Sequence, residues 1–541
     1  MSTICGHFVR NGKTESKDVY DMLRKMEHRG PDTHGAYLDG RIVKVDEIDE
    51  MKEELSNETH IALGHSRLKL MGGEKMTQPY ISCDDKLALI HNGDIYNYQK
   101  LRTLLYKHHE IKTNSDSEII IHLLEEVYQG DLLTAIKKII GLLDGTYSLA
   151  VTDGETVVVA RDPIGKTPLY YIINDNITYF ASEKKALWNG KDTPKRLNPG
   201  DILSINNSGL EVSEGFHLQF PQIDIVEFRE AVEIYKDALI KAVKKRLMGL
   251  SMSRIGVIFS GGIDSVFISK LLQREGKNII CYCTGTEESG DIMAAYSVAE
   301  ELGLELKTTI ITEDMVEQIL PEIIQNVEEG GLLQVEVAIP MYLAAKLAAE
   351  DNIRVMFTGQ AADELFAGYP WYKNTLSDFG YLGLHERLWE DLILSSTDTL
   401  EREDKLTMAH SIELRAPYLD KYLIQTAMRM SPRLKIQDTN DDLRKTVHRQ
   451  AAVELGIPPH IAFRSKSPAQ SGSGIHEIIA KIAKKYISDI DPDLVNENIS
   501  RDKGSIYRYG QKMYGDDAAR IYVQRIEEDI QKRYIPPFLV D

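Results

Sequence analysis

The sequence is poor in cysteine, in long apolar runs and in basic residues, and each shortage excludes a class of protein. Four cysteines, Cys5, Cys83, Cys281 and Cys283, occur in 541 residues, too few for the disulfide framework of a secreted domain. No uninterrupted apolar run reaches the roughly 18 residues expected of a membrane span, and the first residues lack the pattern of a signal peptide. We therefore expect a protein of a reducing compartment, the cytoplasm, with no membrane partner.

Basic residues are outnumbered by acidic ones. The chain has 64 Lys and Arg residues against 83 Asp and Glu residues, which gives a net charge of −19. Because sequence-independent nucleic-acid binding needs a positive field, we expect no nucleic-acid partner. The length of 541 residues predicts more than one domain, since a single domain usually holds about 100–200 residues.

The pattern of the sequence changes near residue 220. Residues 1–220 contain short apolar segments broken by Gly, Asn and Asp, together with helical spacing at 115–127. This mixture predicts a layered α+β domain. Residues 221–541 alternate apolar strands with helices and become mostly helical beyond about residue 380. That order predicts an α/β domain with a doubly wound parallel sheet and a helical C-terminal part.

The segment 260–265, Ser-Gly-Gly-Ile-Asp-Ser, lies between an apolar strand and a helix. Its glycines let backbone amides close on an anion without a Cβ in the way, and its serines can donate to phosphate oxygens. Asp264 would repel a phosphate unless a cation lies between them, so it predicts Mg²⁺. A capped glycine-rich turn is the alternative, but the strand-to-helix position favours nucleotide binding. The candidate nucleotide-binding residues are Ser260, Gly261, Gly262, Asp264 and Ser265.

The same segment resembles the pyrophosphate loop of the ATP-pyrophosphatase superfamily. Other segments resemble glutamine-dependent asparagine synthetases: TGQAADELFAGY at 358–369, MAHSIELRAPYLD at 408–420, RSK at 464–466 and GSG at 472–474. The first half resembles the class II glutaminase domain of that family through CG at 5–6, RGPD at 29–32, GHSRL at 64–68, NGDIYN at 92–97, SDSE at 115–118 and RDPIGK at 161–166. The resemblance covers almost the whole chain in the order of the family.

This resemblance implies an N-terminal nucleophile glutaminase, an αββα sandwich, over 1–220 and an ATP-pyrophosphatase synthetase domain over 221–541. It further implies that ATP and aspartate form β-aspartyl-AMP and pyrophosphate. Ammonia from glutamine hydrolysis would then displace AMP to give asparagine. The implied partners are the small molecules glutamine, aspartate and ATP, with Mg²⁺ as cofactor and a homodimer as one expected assembly.

In the synthetase half, the resemblance assigns roles to individual residues. Asp264 and Asp363 would hold Mg²⁺ on the departing pyrophosphate. Lys466 would lie near the reacting carbonyl, where an ammonium offsets developing negative charge. The residues implied to line the adenine and ribose pocket are Ile258, Thr284, Thr358 and Gly359.

One position departs from the family pattern in a way that affects the chemistry. Gln360 stands where well-known bacterial members have Glu and β-lactam-forming relatives have Tyr, and Ala361 replaces a usual Gly. Because Gln cannot accept a proton, the proton acceptor of the second half-reaction stays open. The alternative function is an adenylating enzyme that amidates or cyclises another carboxylate.

In the glutaminase half, the resemblance identifies a glutamine pocket. Asn92 and Gly93 match the oxyanion hole. Arg67 matches the partner of the glutamine α-carboxylate, and Asp116 matches the partner of its α-amine. Asp94 stands where Glu is usual and keeps the negative charge.

The nucleophile of this family is an N-terminal cysteine whose own α-amine is the base, and the resemblance implies Cys5. An α-amine has a pKa of about 7.7–8.0 and can take the thiol proton near neutral pH. Cys5 follows four residues, however. Either residues 1–4 are removed, or translation begins elsewhere, or the glutaminase is inactive and the protein is an ammonia-dependent or non-catalytic homologue. The preserved pocket residues favour removal.

Overall fold

The computed structural model of the chain describes residues 2–70, 76–188, 192–287, 289–328, 331–465, 474–486 and 517–533. These residues form two compact units. The first runs from the N-terminus to Leu218 and also takes in Gly249–Ser251, and the second begins at Gln219.

Within the described residues, the first unit contains two large antiparallel sheets, a separate two-stranded pair and six α-helices. Its strands are β1 (Thr3–Val9), β2 (Thr14–Glu15), β3 (Thr33–Leu38), β4 (Arg41–Val45), β5 (Glu58–Thr59), β6 (Ile61–Arg67), β7 (Tyr80–Ile81), β8 (Ala88–Ile95), β9 (Gly145–Thr152), β10 (Val157–Arg161), β11 (Tyr170–Asn174), β12 (Ile177–Ala181), β13 (Lys195–Arg196), β14 (Asp201–Asn206) and β15 (Gly209–Glu214). Its helices are α1 (Lys17–Lys25), α2 (Met51–Glu54), α3 (Tyr98–Arg102), α4 (Asp116–Val127), α5 (Leu132–Ile140) and α6 (Lys184–Leu187).

The two sheets of the first unit have the strand orders β13-β11-β12-β1-β6-β3-β4 and β15-β14-β10-β9-β8-β7, with β2 and β5 as a separate pair. Side chains of both sheets share one apolar cluster, to which Ile4, Phe8, Leu63, Ile90 and Val159 belong. Because strands of both sheets supply this cluster, the sheets pack face to face.

Each sheet carries helices on its outer face. A second cluster joins β1 to α1, α2 and α6 through residues such as Cys5, Val19 and Leu23. A third joins α4 and α5 to β8 and β9 through residues such as Ile120 and Leu149. The layer order is therefore helix, sheet, sheet, helix, which confirms the predicted αββα sandwich.

The second unit is built on one parallel sheet. Its strands are β16 (Arg254–Ile258), β17 (Asn278–Gly285), β18 (Glu305–Ile310), β19 (Val355–Phe357) and β20 (Glu413–Arg415). The helices after the first unit are α7 (Phe228–Leu247), α8 (Ile263–Arg274), α9 (Gly290–Leu302), α10 (Glu313–Val327), α11 (Leu332–Glu350), α12 (Ala362–Phe366), α13 (Tyr372–Ser395), α14 (Glu401–Met408), α15 (Lys421–Arg429), α16 (Thr446–Glu454), α17 (Pro459–Ala462), α18 (Ile475–Tyr486) and α19 (Asp517–Arg533).

The strand order of this sheet is β18-β17-β16-β19-β20, and all four neighbouring pairs are parallel. The chain therefore moves outward from β16 in one direction and then returns to the other side of it. A doubly wound sheet opens a crevice at the carboxyl ends of the two strands where this reversal occurs, here β16 and β19. The predicted α/β fold with a helical C-terminal part is confirmed.

Helix α11 is unusual in composition. Within the described residues it is the one helix long and apolar enough to cross a membrane. Its Ala344, Ala345 and Ala348 pack in a buried cluster with Ile280 and Tyr282 of β17. Small apolar side chains facing a parallel sheet are what the core helix of such a fold requires.

Candidate active sites

The beginning of the chain lies against strand β8 of the other sheet. The backbone nitrogen of Ser2 donates to Asn92 Oδ1 at 2.7 Å. The carbonyl of Ser2 accepts from Arg29 Nε at 3.4 Å, and Arg29 also pairs with Glu183 at 2.9 Å with both side chains fully buried. Ser2 is thus fixed at both ends of its backbone.

Asn92 and Gly93 are neighbours on β8, and the Asn92 side-chain amide donates to no acceptor among the described residues. Asn92 is fully buried, and its Nδ2 has no hydrogen-bond partner among the described residues. Gly93 has φ +143°, and a Cβ there would lie 1.9 Å from the Thr146 carbonyl oxygen, so no other residue fits. Such a buried amide donor is available to a ligand oxygen.

Charged side chains lie on the strand and helix ends of the same unit. Arg67 ends β6 and is buried. Burial lowers the pKa of the Arg67 guanidinium, while Asp32 and Asp116 oppose that shift. Asp116 begins α4 and accepts from the backbone nitrogen of Ile95 at 2.7 Å. Asp94 is buried on β8, next to Gly93.

Cys5 lies on the face of β1 away from Asn92, so its surroundings do not support its predicted role as the nucleophile. It is fully buried on β1, in the cluster under α1, with its Sγ 3.9 Å from the Val19 carbonyl oxygen. Burial raises the pKa of the Cys5 thiol far above its usual range. The physical reason is strand alternation: successive side chains point to opposite faces, so Cys5 faces the helices while Ile4 faces the other sheet.

Ser2, which motif matching did not consider, is the residue next to Asn92. The pair Cys5-Gly6 imitates the start of the family motif, but the structure brings Ser2, not Cys5, to Asn92. A sequence signal existed. Ser2 is a small residue whose nitrogen would be freed by removing a single methionine, and β1 periodicity places Ser2 and Cys5 on opposite faces.

In the second unit, the segment 260–265 connects β16 to α8 at the crevice. Gly261 has φ +65°, and a Cβ there would lie 2.8–2.9 Å from backbone atoms of Ala294 and Ala295. Ser265 Oγ donates to the Gly262 carbonyl at 3.1 Å. Arg464 donates to the Gly261 carbonyl at 2.7 Å. The glycine is required because α9 approaches the loop closely.

Asp264 and Asp363 are brought together by a lysine that sequence analysis missed. Lys445 Nζ lies 2.6 Å from Asp264 Oδ1 and 2.7 Å from Asp363 Oδ1. His448 Nε2 lies 3.2 Å from the same oxygen of Asp264. Lys445 is buried and has φ +56°. No motif marked it, because the segment that carries Lys445 is far from both acids in sequence.

The carboxylates of Asp264 and Asp363 are the type of ligand that the predicted Mg²⁺ requires. Mg²⁺ takes hard oxygen ligands and is usually held by one or two carboxylates plus substrate phosphates. Asp264 and Asp363 follow two neighbouring strands and share a buried ammonium. A bound cation would share these carboxylates with Lys445.

The residues implied for the adenine and ribose pocket follow the same sheet edge. Ile258 and Thr284 lie at the carboxyl ends of β16 and β17, and Thr358 directly follows β19. These three strands are adjacent in the sheet. A Cβ on Gly359 would lie 2.8 Å from Asp264 Cβ, so the loop after β19 touches the loop after β16.

The segment after Gly359 combines strain with a buried acid. The backbone nitrogen of Gln360 donates to Thr358 Oγ1 at 3.3 Å. Ala361 has φ +75°, a conformation that favours glycine. Burial, aided by Asp363, raises the pKa of Glu364 to about 8. Lys466 lies outside the described residues.

Family models match both halves of the chain. The model described as "Asparagine synthase" matches residues 235–383 and 377–508. The model described as "Glutamine amidotransferase domain" matches residues 49–237.

Curated relatives match over most of their length. A putative asparagine synthetase [glutamine-hydrolyzing] 1 of Methanocaldococcus jannaschii is 32% identical, with 90% of this chain and 96% of that protein covered. Asparagine synthetase [glutamine-hydrolyzing] 2 of Arabidopsis thaliana is 28% identical, with 89% and 80% covered.

Solved structures show only distant likeness. Glutamine phosphoribosylpyrophosphate amidotransferase from B. subtilis is 20% identical with a TM-score of 0.35, over 58% of this chain and 70% of that chain. An NH3-dependent NAD synthetase from Campylobacter jejuni is 14% identical with a TM-score of 0.23, over 52% and 96%.

Proposed function

The chain belongs to the asparagine synthetase family, and from this membership we propose that it is a carbon–nitrogen ligase that makes asparagine, with ATP as energy source and glutamine as nitrogen donor. The motif resemblance in the sequence is confirmed by the matches over both halves. The single observation that carries the proposal is the acid pair Asp264 and Asp363, bridged by Lys445 at the crevice of a doubly wound sheet.

The acceptor in this proposal is the β-carboxylate of aspartate. The carboxylate oxygen attacks the α-phosphorus of ATP, and the bond to pyrophosphate breaks. Ammonia then attacks the acyl carbon and AMP leaves. Amides and hydroxyls of 260–265 bind the phosphates, and the Lys445 ammonium offsets their charge. Mg²⁺ held by Asp264 and Asp363 would neutralise the departing pyrophosphate.

For the glutaminase half, we propose that removal of Met1 makes Ser2 the N-terminal nucleophile. The Ser2 nitrogen, held by Asn92 Oδ1 at 2.7 Å, would then be an α-amine, partly neutral near pH 7. It takes the hydroxyl proton as the oxygen attacks the glutamine carboxamide. Asn92 Nδ2 donates to the oxyanion, and the amine returns the proton to the leaving ammonia. Water hydrolyses the ester to glutamate.

In the same proposal, Arg67 and Asp116 bind the two charged ends of glutamine. A guanidinium suits a carboxylate, and a carboxylate suits the α-ammonium. Asp94, buried beside the proposed oxyanion hole, adds a second negative charge for that ammonium. Gly93 allows the backbone to approach the substrate.

A second candidate function is synthesis from free ammonia without glutamine hydrolysis. The observation that favours it is Ser2 itself, since a serine hydroxyl is a much weaker nucleophile than a thiolate. The synthetase half is the same in both candidates.

The remaining assignments are proposals of the same kind. We propose a glutaminase domain over 1–220 and a synthetase domain over 221–541, in line with the two compact units. The four cysteines are all free thiols, which supports a reducing compartment such as the cytoplasm. Two further assignments stay predictions. One is the electrostatic role of Lys466 near the reacting carbonyl, and the other is a homodimer.

The decisive experiment is a product assay with aspartate, ATP and Mg²⁺. Glutamine labelled in its amide nitrogen and labelled ammonium are supplied in separate reactions. We expect asparagine, AMP and pyrophosphate in equal amounts, with label from glutamine. ADP and phosphate would contradict the adenylation mechanism, and label from ammonium alone would establish the second candidate. Pyrophosphate exchange with other carboxylic acids tests the acceptor.

A further inference from the structure

Four side chains of the metal-binding type meet in the first unit, apart from the proposed glutamine pocket. They are Cys83, His109, His122 and Glu125, and their ligand atoms all lie within 4.8 Å of one another. Cys83 Sγ lies 3.9 Å from His109 Nδ1 and 3.8 Å from His122 Nδ1. Glu125 Oε2 lies 3.1 Å from His109 Nδ1 and 2.6 Å from His122 Nδ1.

Three separate segments supply this cluster. Cys83 lies in the turn between β7 and β8, and His109 lies in the connection between α3 and α4. His122 and Glu125 lie on α4 at positions three apart, which places them on one face of the helix. Only the fold brings them together, so no contiguous motif marks the site.

A second layer of contacts orients one of the histidines. His109 Nε2 lies 2.8 Å from Glu126 Oε1. The same oxygen accepts from the backbone nitrogens of Tyr106 at 3.0 Å and Lys107 at 2.8 Å. A carboxylate on the far ring nitrogen is the usual outer contact of a metal-bound histidine, because it fixes the ring and its tautomer.

We propose that Cys83, His109, His122 and Glu125 bind a structural Zn²⁺ ion. Sulfur, nitrogen and carboxylate oxygen are zinc ligands, and bond lengths of 2.0–2.3 Å in a tetrahedron give ligand separations of about 3.3–3.7 Å. The two sulfur–nitrogen distances are close to that range. A thiolate and a carboxylate balance the charge of Zn²⁺, and four protein ligands close the coordination shell, which distinguishes a structural site from a catalytic one.

A hydrogen-bonded group of acids and histidines is the competing explanation. It accounts for Glu125 between the two rings and for the Cys83 backbone nitrogen, which donates to Glu125 Oε1. It leaves the Cys83 thiol only its long contacts with the two rings. In the zinc site, the thiol is the ligand that joins the β7–β8 turn to α4. The ion would also anchor the connection 103–115, which leads directly into Asp116.

Metal analysis of the full-length protein, purified without a metal-chelating tag, tests the proposal. We expect about one zinc ion per chain in wild type and in His108→Ala, whose histidine is exposed and outside the cluster. Cys83→Ser and His122→Ala should each weaken zinc binding by more than about 100-fold, and Glu126→Gln by about 10–100-fold. Zinc content near zero in wild type, or equal in wild type and Cys83→Ser, would overturn the proposal.

Two measurements on the wild-type protein keep the test valid if a variant fails to fold. Co²⁺ in place of zinc should give a thiolate-to-metal charge-transfer band. Alkylation should modify Cys83 readily in chelator and slowly in zinc, since the other three cysteines are buried. A cobalt spectrum without that band, or equal alkylation rates, would show that the thiol is no ligand.

Discussion

The two units treat the buried polar groups of their candidate sites in opposite ways. In the second unit, Asp264 and Asp363 are neutralised by Lys445 within the protein. In the first unit, Asn92 Nδ2 has no partner among the described residues. In the second unit the protein supplies the countercharge, and in the first unit a donor is left open for a ligand. Activity of the second unit should therefore respond most to substitutions that change charge. Activity of the first unit should respond most to substitutions of its proposed nucleophile.

The largest effect should come from breaking the charge pair. Asp264→Asn leaves Lys445 with one carboxylate, and we expect pyrophosphate release to fall by at least about 10³-fold, or about 4 kcal/mol. Glutamine hydrolysis should stay near the wild-type rate. The matched control is Asp237→Asn, an exposed acid on α7. Normal pyrophosphate release by Asp264→Asn would remove the basis of the proposed function.

The second-largest effect should be a pH dependence of stability that arises in the second unit, at Glu364. The pKa of Glu364 is raised to about 8 in the folded protein, above its unfolded value near 4.5. Between these values the folded protein keeps a proton on Glu364 that the unfolded chain releases. The contribution of Glu364 to stability therefore falls as pH rises from 5 to 8, by about 3–4 kcal/mol.

Glu364→Gln should remove most of that fall, because an amide cannot ionise. Urea midpoints at pH 5 and pH 8 measure it, with Glu386→Gln, an exposed acid on α13, as the control. An equal pH dependence in wild type and Glu364→Gln would show that Glu364 is ionised at pH 7.

The nucleophile of the first unit gives the third effect. Ser2→Cys should raise glutamine hydrolysis by about 100-fold, or about 2.7 kcal/mol, since a thiolate forms and attacks more readily. Ser2→Ala should abolish hydrolysis while ammonia-dependent synthesis continues. Mass spectrometry should show that Met1 is absent.

Cys5→Ser is the control for this prediction. It should cost about 1–2 kcal/mol in stability as a buried substitution without changing the rate per folded molecule. Loss of hydrolysis in Cys5→Ser, with Ser2→Ala active, would restore Cys5 as the nucleophile.

The smallest effect concerns strain beside the acid pair. Ala361 has φ +75°, which costs an alanine about 1–2 kcal/mol. Ala361→Gly relieves that cost but adds unfolded-state entropy, so we expect a gain of about 0.5–1 kcal/mol in the free energy of unfolding. Ala349→Gly, within α11, should lose about 1 kcal/mol. A loss at both positions would argue against strain at Ala361.

Sequence reasoning succeeded where a few adjacent residues dictate the backbone. Gly261 and Gly93 tolerate no Cβ, and such constraints leave a contiguous pattern. The parallel direction of the second sheet also followed from the alternation of strands and helices. Both fold classes were therefore accessible from the sequence alone.

It failed where position depends on contacts distant in the chain. Lys445 reaches Asp264 only through folding. Cys83 and His122 meet for the same reason. Ser2 was not considered because a nearby Cys-Gly pair matched the motif, although strand alternation places Cys5 on the other face.

The bridging ammonium of Lys445 also affects the enzyme between turnovers. Without Lys445, the negative charges of Asp264 and Asp363 would repel each other and push apart the loops that carry them. The Lys445 ammonium, supplied from within the polypeptide, offsets that repulsion and holds the two loops together.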